Sequence, residues 1–338
     1  MTAGTDADHR RVVVVTGASS GIGRLTARRF ARRGDAVVLA ARDEDSLEDA
    51  ARDCRAAGAR TLIVPVDINR PDGPETIMDR AVAAFGHVDV WVSCAAVMAY
   101  GRFQDVPQEV HEQVIATNLT GTVRCARVAV QHFLQQGHGV LITVGSLYGR
   151  MTSPYVSAYV TSKYGLRGFN EVLRQELHDV PDITTCLVQP GSVDTPIFRH
   201  TANYTGRGTR PVPPVVRADR VARAIVRCAD RPRREVVVGQ LARVLSWVHA
   251  AAPWLYNRLV PTAMDVGGLT DEPAEDGPGN VFEPMAEWNR PTGDWDRVPH
   301  GWLLAAAGVM VAAGGAAAAV QAGRPVVRPP RWRPGWTR

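Results

Sequence analysis

The sequence predicts an α/β fold, a doubly wound parallel sheet of about seven strands followed by a C-terminal extension. Three observations carry this expectation. Short β-branched runs alternate with longer amphipathic stretches over roughly the first 240 residues, as βαβ units do. The first of those runs passes directly into a loop with three closely spaced glycines. A length of 338 residues exceeds what one ordinary core needs, so appendages are expected beyond a single large domain.

Taken in order, residues 1–10 form a polar, acidic tail without the basic and apolar regions of a signal peptide. Residues 11–240 form the sheet domain, with strands expected over 12–16, 36–40, 61–66, 88–92, 140–144, 184–188 and 235–238. The first helix starts near Gly21 and stops at Gly34, a residue suited to the left-handed turn that ends a helix. Residues 241–300 are an extension: an apolar, aromatic stretch interrupted by Pro253, then an irregular arm from Pro261 rich in Pro, Gly and acids. Residues 301–323 are expected to be an Ala/Gly-rich helix, and 324–338 a basic tail. The uncharged run is long enough to span a bilayer but poor in Leu, so the extension is read as a candidate for peripheral membrane contact through its arginines.

Composition narrows the function classes. With 45% hydrophobic and 22% charged residues, the chain is neither disordered nor collagenous. The net charge of +5 is scattered over helices that also carry acids, which argues against a nucleic-acid partner. Cys54, Cys94, Cys125, Cys186 and Cys228 show no pairing pattern and read as reduced thiols in a cytoplasmic protein. His87, His111, His132 and His138 lack ligand spacing, so no metal is expected. One count is sharper. Of 39 basic residues, every one but Lys163 is arginine. A chain that uses arginine wherever charge suffices and keeps one ammonium marks that position for lysine chemistry.

The glycine loop reads Thr16, Gly17, Ala18, Ser19, Ser20, Gly21, Ile22, Gly23 between a strand and a helix. Glycines at this spacing allow a tight turn, close approach of a pyrophosphate and close helix packing, while the helix N-terminus offers free N–H groups to phosphate. In a Rossmann-type unit this is a dinucleotide site. The second strand ends Ala40, Ala41, Arg42, with Asp43 and Glu44 behind. Ala41 fills the slot where an acid would hold the ribose 2′-hydroxyl of NAD, and Arg42 suits a 2′-phosphate, so NADP is expected ahead of NAD.

Tyr159 and Lys163 stand four residues apart on one helix face, and Ser146 lies 13 residues before the tyrosine. A tyrosine hydroxyl has a pKa near 10. An ammonium about 4 Å away would contribute roughly 4 kcal/mol, or about three pKa units, toward the operating range of a general acid/base. With Asn118 in Thr117-Asn118-Leu119-Thr120-Gly121 and with Pro190-Gly191, the set resembles the short-chain dehydrogenase/reductase family from about Val12 to Gly239.

That resemblance implies an oxidoreductase that interconverts a carbonyl and a secondary alcohol, with Tyr159 as proton donor and acceptor. It implies that Ser146 binds the substrate oxygen, Lys163 also holds the nicotinamide ribose, and Asn118 holds a water in the proton relay. Asp67 resembles the adenine contact, Ala95 lies in the segment beside the cofactor, and Pro190, Gly191, Val193 and Thr195 resemble the segment over the nicotinamide. A small-molecule substrate and a homo-oligomer are expected. One departure stands out: Ser93-Cys94-Ala95-Ala96 replaces the usual Asn-Asn-Ala-Gly, which bears on cofactor affinity more than on proton transfer. Arg199, His200, Arg207 and Arg210 lie in the loop after Thr195, where the resemblance implies a substrate lid. They read first as a solvated, flexible segment, with recognition of an anionic substrate as the alternative. Two alternatives stay open: a non-catalytic NADP sensor and a membrane-tethered scaffold. The intact proton-transfer set disfavours the sensor.

Overall fold

The computed structural model describes residues 10–239, 246–247 and 249–295. The chain divides into two compact units, Met1–Val298 and Pro299–Arg338. The second, with the Ala/Gly-rich run and the basic tail, lies outside the described residues.

Seven parallel strands form the central sheet: β1 (Val12–Thr16), β2 (Ala36–Ala41), β3 (Thr61–Pro65), β4 (Val90–Ser93), β5 (Gly139–Val144), β6 (Ile183–Pro190) and β7 (Glu235–Val238). Their order is β7-β6-β5-β4-β1-β2-β3. The run Val12-Val13-Val14-Val15 shows why the strands read as unbroken apolar stretches. Val13 and Val15 enter one hydrophobic layer, and Val12 and Val14 enter the other. Because successive side chains point to opposite faces, a strand covered on both faces must be apolar throughout.

Helices α1 (Gly21–Ala31), α2 (Glu44–Arg55) and, later in the chain, the segment Ala218–Asp230 bury Phe30, Leu47 and Ile225 on the first face. On the second face, α3 (Gly73–Phe85) brings Ile77, and α5 (Thr122–Gln136) brings Phe133. Helix α4 (Gln108–Ile115) leads into α5 through a π-helical turn, Ala116–Gly121. The 20-residue α6 (Ser157–Glu176) packs beside them, and Ala218–Asp230 is α7. The chain order reverses between β1 and β4, which opens a crevice beyond their carboxyl ends. The glycine loop after β1, Arg42 after β2 and the segments 94–96 and 191–195 all follow the carboxyl ends of their strands.

The extension differs from its expected form. Pro253 begins a helix, α8 (Pro253–Gly267), and that helix continues through Pro261. Proline suits the first turn of a helix because that N–H has no partner anyway. Inside a helix it costs about 3 kcal/mol, which the burial of Leu255, Tyr256 and Met264 against the body offsets. Residues Leu269–Pro273 then pair antiparallel with Arg207–Thr209. Only after Pro273 does the irregular arm begin.

Candidate active site

The glycine loop is anchored from β4. The Thr16 hydroxyl accepts hydrogen bonds from the Cys94 and Ala95 N–H groups at 3.3 and 3.4 Å. Gly17 has φ +66°, and a Cβ there would lie 2.7 Å from the Ala95 nitrogen. Loop and strand end are therefore in main-chain contact, which only glycine permits. Gly23 sits so close to the turn that a Cβ would meet the Gly17 carbonyl oxygen at 2.1 Å. Ser20 precedes α1 without capping it through its side chain, so the Ile22 and Gly23 N–H groups have no partner among the described residues. This is a cradle with open donors at a helix N-terminus, which fits a phosphate.

At the end of β2, Asp43 caps α2 by accepting from the Ser46 N–H at 2.7 Å. That carboxylate is committed locally, and Arg42 faces the cavity together with Asp67. Arg42, Asp67, Ala95, Gly17 and Ser19 line a cavity of about 90 Å³. Burial holds the Arg42 guanidinium below its ordinary value, and Asp67 and then Glu283 oppose this.

A second cavity, of about 710 Å³, is lined by Gly21, Ile22, Ser146, Tyr159, Lys163 and Thr195 among others. Pro190, Gly191 and Val193 line it as well. Tyr159 and Lys163 are both buried, at 8% and 3% exposure. The Ser146 hydroxyl lies near enough to the Tyr159 phenol to lower its pKa, and it accepts from the Tyr148 N–H at 3.2 Å. Lys163 donates to the Val144 carbonyl at 3.1 Å, and its Nζ lies 5.4 Å from the Tyr159 ring centre.

The protein matrix corrects the electrostatic expectation. Burial pushes the Tyr159 phenol up to about 12, the Ser146 hydroxyl draws it down and the Tyr148 phenol adds to the rise. Burial brings the Lys163 ammonium down to about 8, with Cys94 opposing. At neutral pH the pair is thus a neutral phenol beside a mostly charged ammonium. The three-unit depression expected from charge alone is absent: burial is the largest influence on the phenol, and Lys163 is not among the groups that shift it.

Asn118 does not face the cavity. Its amide accepts from the Val97 N–H at 2.8 Å, and donates to the Val97 carbonyl at 2.9 Å and to Ser162 Oγ at 3.2 Å. It sits in the π-helical turn, fully buried, and ties that turn to the loop after β4. Asp67 accepts from the Asn69 N–H at 2.8 Å and lines the smaller cavity.

The sequence pattern of the short chain dehydrogenase family matches residues 11–204. The chain belongs to that family. A Bacillus subtilis (strain 168) protein, the uncharacterized oxidoreductase YxnA, is 34% identical over 257 residues, covering 75% of this chain and 72% of its own. An alcohol dehydrogenase from Thermococcus sibiricus, solved with 5-hydroxy-NADP, superposes with a TM-score of 0.58 at 28% identity, covering 68% of this chain and 96% of its own. A short chain dehydrogenase/reductase from Burkholderia phymatum, solved with NAD, shares the fold at 23% identity, with a TM-score of 0.66 and coverage of 74% and 96%. This short-chain dehydrogenase is therefore an oxidoreductase whose structural neighbours bind NADP or NAD.

Within the short-chain dehydrogenase framework, the segment Ser93-Cys94-Ala95-Ala96 keeps its place through main-chain bonds to Thr16, without the two missing amides. Cys94 is a neutral thiol, since burial pushes it up to about 12. Among the described residues, no cluster of His, Cys, Asp or Glu could hold a metal ion, and no helix is long and apolar enough to cross a membrane.

Two groups in this short-chain dehydrogenase carried no sequence signal, and a third differs from its expected form. Tyr148 stacks edge-on against Tyr159, with ring centres 6.3 Å apart, and Tyr100 is buried beside both. Met264 on α8 meets the Tyr148 hydroxyl at 3.8 Å. The loop after Thr195 is the third, and it is not the solvated segment expected. His200 is 6% exposed, Arg207 and Arg210 donate to carbonyls of 265–270, and Arg199 lies 4.1 Å from the Trp295 ring centre. Its cations hold the C-terminal extension, whose sequence gave no hint of a partner.

Proposed function

We propose that this chain is an NADP(H)-dependent oxidoreductase that interconverts an apolar carbonyl compound and its secondary alcohol. The observation that carries the reading is the convergence of Ser146, Tyr159 and Lys163 on one wall of the larger cavity, next to the glycine cradle. The bound nicotinamide supplies or accepts the hydride. Everything else falls to the protein. The Ser146 hydroxyl orients the substrate oxygen beside the Tyr159 phenol. Tyr159 donates its proton to the oxygen as negative charge develops there, and it is neutral at physiological pH because burial disfavours the phenolate. Lys163 keeps a positive charge behind the phenol and stabilises the phenolate left after transfer.

The substrate class follows from the rest of the wall. Met98, Leu147, Met151, Ile197, Phe198 and Val212 surround the polar trio. An apolar body buried there gains roughly 25 cal/mol per Å² of surface removed from water. A panel of apolar ketones with NADPH consumption as readout tests the reading. Loss of NADPH absorbance with at least one of them supports it, and failure across the panel while NADPH binds overturns it.

Ala41 and Arg42 support a preference for NADPH. A hydrogen bond to a charged group contributes about 1.5–3 kcal/mol, so Arg42→Ala is expected to weaken NADPH by about 10- to 100-fold. NADH affinity is expected to change less than about threefold, since the 2′-hydroxyl makes no charged pair. Calorimetric titration of both cofactors checks this. Equal affinities for NADH and NADPH in the unmodified protein would refute the preference.

A further inference from the structure

A part of the chain without any motif is bonded along the cleft beside the glycine loop. Past Gly279, whose φ is +51°, the Asn280 N–H donates to the His200 carbonyl at 2.8 Å. The next three carbonyls converge on Arg42: Nη2 donates to Asn280 at 2.6 Å, and Nη1 to Val281 and Phe282 at 3.3 and 2.7 Å. Further along, the Asn289 amide donates to Ser46 Oγ at 2.7 Å, and its carbonyl accepts from Arg24. The Arg290 carbonyl accepts from the Gly21 N–H, the first of α1, at 2.9 Å. The segment ends hooked onto the opposite loop. Asp194 Oδ1 accepts from the Gly293 and Trp295 N–H groups at 3.0 and 2.9 Å, and Trp295 Nε1 donates to the Thr195 carbonyl at 3.2 Å. Arg199 lies over the Trp295 ring and, at 5.7 Å, near that of Trp288. The segment thus crosses the crevice from the β2 side, over the helix N-terminus, to the loop after β6.

Two features decide whether this segment blocks a dinucleotide or encloses one. It uses only the Gly21 donor of the first turn of α1, and Ile22 and Gly23 keep theirs for phosphate. It also takes only the outer nitrogens of Arg42. Nε makes no hydrogen bond among the described residues and Nη2 spends one of its two N–H groups, so each nitrogen keeps a donor for an anion. Three carbonyls that fix the guanidinium in advance remove much of the side-chain entropy that phosphate binding would otherwise cost. Pro284, Met285 and Asn289 roof the smaller cavity, whose 90 Å³ is well below the roughly 300–1,000 Å³ of pockets that hold small molecules. An adenosine enters only if that roof lifts.

We propose that residues 279–295 form a strap that lifts to admit the dinucleotide, closes over it, and presents Arg42 to the 2′-phosphate. The inference rests on the NADP reading above and adds to it a segment that controls release and specificity. Trp295 and Gly293 are the hooks to break. Trp295→Ala removes the Thr195 bond and the Arg199 stack. Gly293→Val drives a Cβ to within 2.4 Å of the Thr195 carbonyl oxygen.

Stopped-flow displacement of NADPH from the full-length protein reads the outcome. Each variant is expected to release NADPH about tenfold faster, equivalent to about 1.4 kcal/mol, with a smaller rise in association rate and a reduced preference for NADPH over NADH. Unchanged release with normal NADPH binding overturns the strap. So does faster association with unchanged release, which would make the segment a block. Should either variant fail to fold, hydrogen exchange at the Gly293 and Trp295 amides of the unmodified protein serves instead. NADPH is expected to slow exchange at both, and no slowing overturns the inference. A protein that binds neither NADPH nor NADH would remove the function reading, and the strap with it.

Discussion

Tyr159→Phe is expected to lower kcat/KM for carbonyl reduction by about a hundred- to ten-thousand-fold, the usual contribution of a positioned general acid. The ring remains, so the edge-on contact with Tyr148 and the packing of α6 persist. Only the hydroxyl goes. A phenol held near 12 is a weak acid in water, yet it faces an oxygen that becomes an alkoxide as hydride arrives, and an alkoxide is the far stronger base. Without that proton the developing charge has only the Ser146 hydroxyl to lean on. Steady-state kinetics with NADPH and an active ketone, alongside NADPH titration, is the check. Retention of more than about a tenth of the activity would exclude Tyr159 as proton donor.

Lys163→Arg is expected to cost at least about a hundredfold in kcat/KM although the charge is kept. The lysine head group is buried at the wall of the larger cavity, bonded to the Val144 carbonyl. A guanidinium is larger and planar, and overpacking a buried site typically costs about 1–3 kcal/mol and shifts its neighbours. The pH profile separates a charge role from a packing role. Reduction requires a protonated Tyr159 and a charged Lys163, and both conditions hold below about 8. As pH rises through about 8 the ammonium is lost first, so reduction by the unmodified protein is expected to decline there. An arginine stays charged, so whatever activity the variant keeps should show no decline in that range. Near-normal kcat at neutral pH in the variant would contradict the reading drawn from the chain's single lysine.

The helix around Pro253 and Pro261 shows where sequence reading meets its limit. Both prolines punctuate the chain locally, and the stretch after Pro261 reads as irregular for that reason. The helix forms regardless, because Leu255, Tyr256 and Met264 are buried against the body, and no local signal reports a contact to residues a hundred positions away. The same holds for Arg199, Arg207 and Arg210. A run of arginines in a loop looks solvated until its acceptors are known, and those acceptors are main-chain carbonyls and indole rings of the extension.

What the amino-acid order determined by itself is the sheet, the glycine cradle and the pairing of Tyr159 with Lys163 on one helix face. Each is written in local chemistry: β-branched runs covered on both faces, glycines where main chains touch, and a tyrosine and lysine one helical turn apart. Tertiary structure alone decided the phenol's environment, the inward turn of Asn118 and the course of residues 279–295 over the cleft. The physical reason is the kind of bond involved. Arg42 and Gly21 are held by carbonyl oxygens, which every residue type carries alike, so such a contact leaves no mark in the sequence.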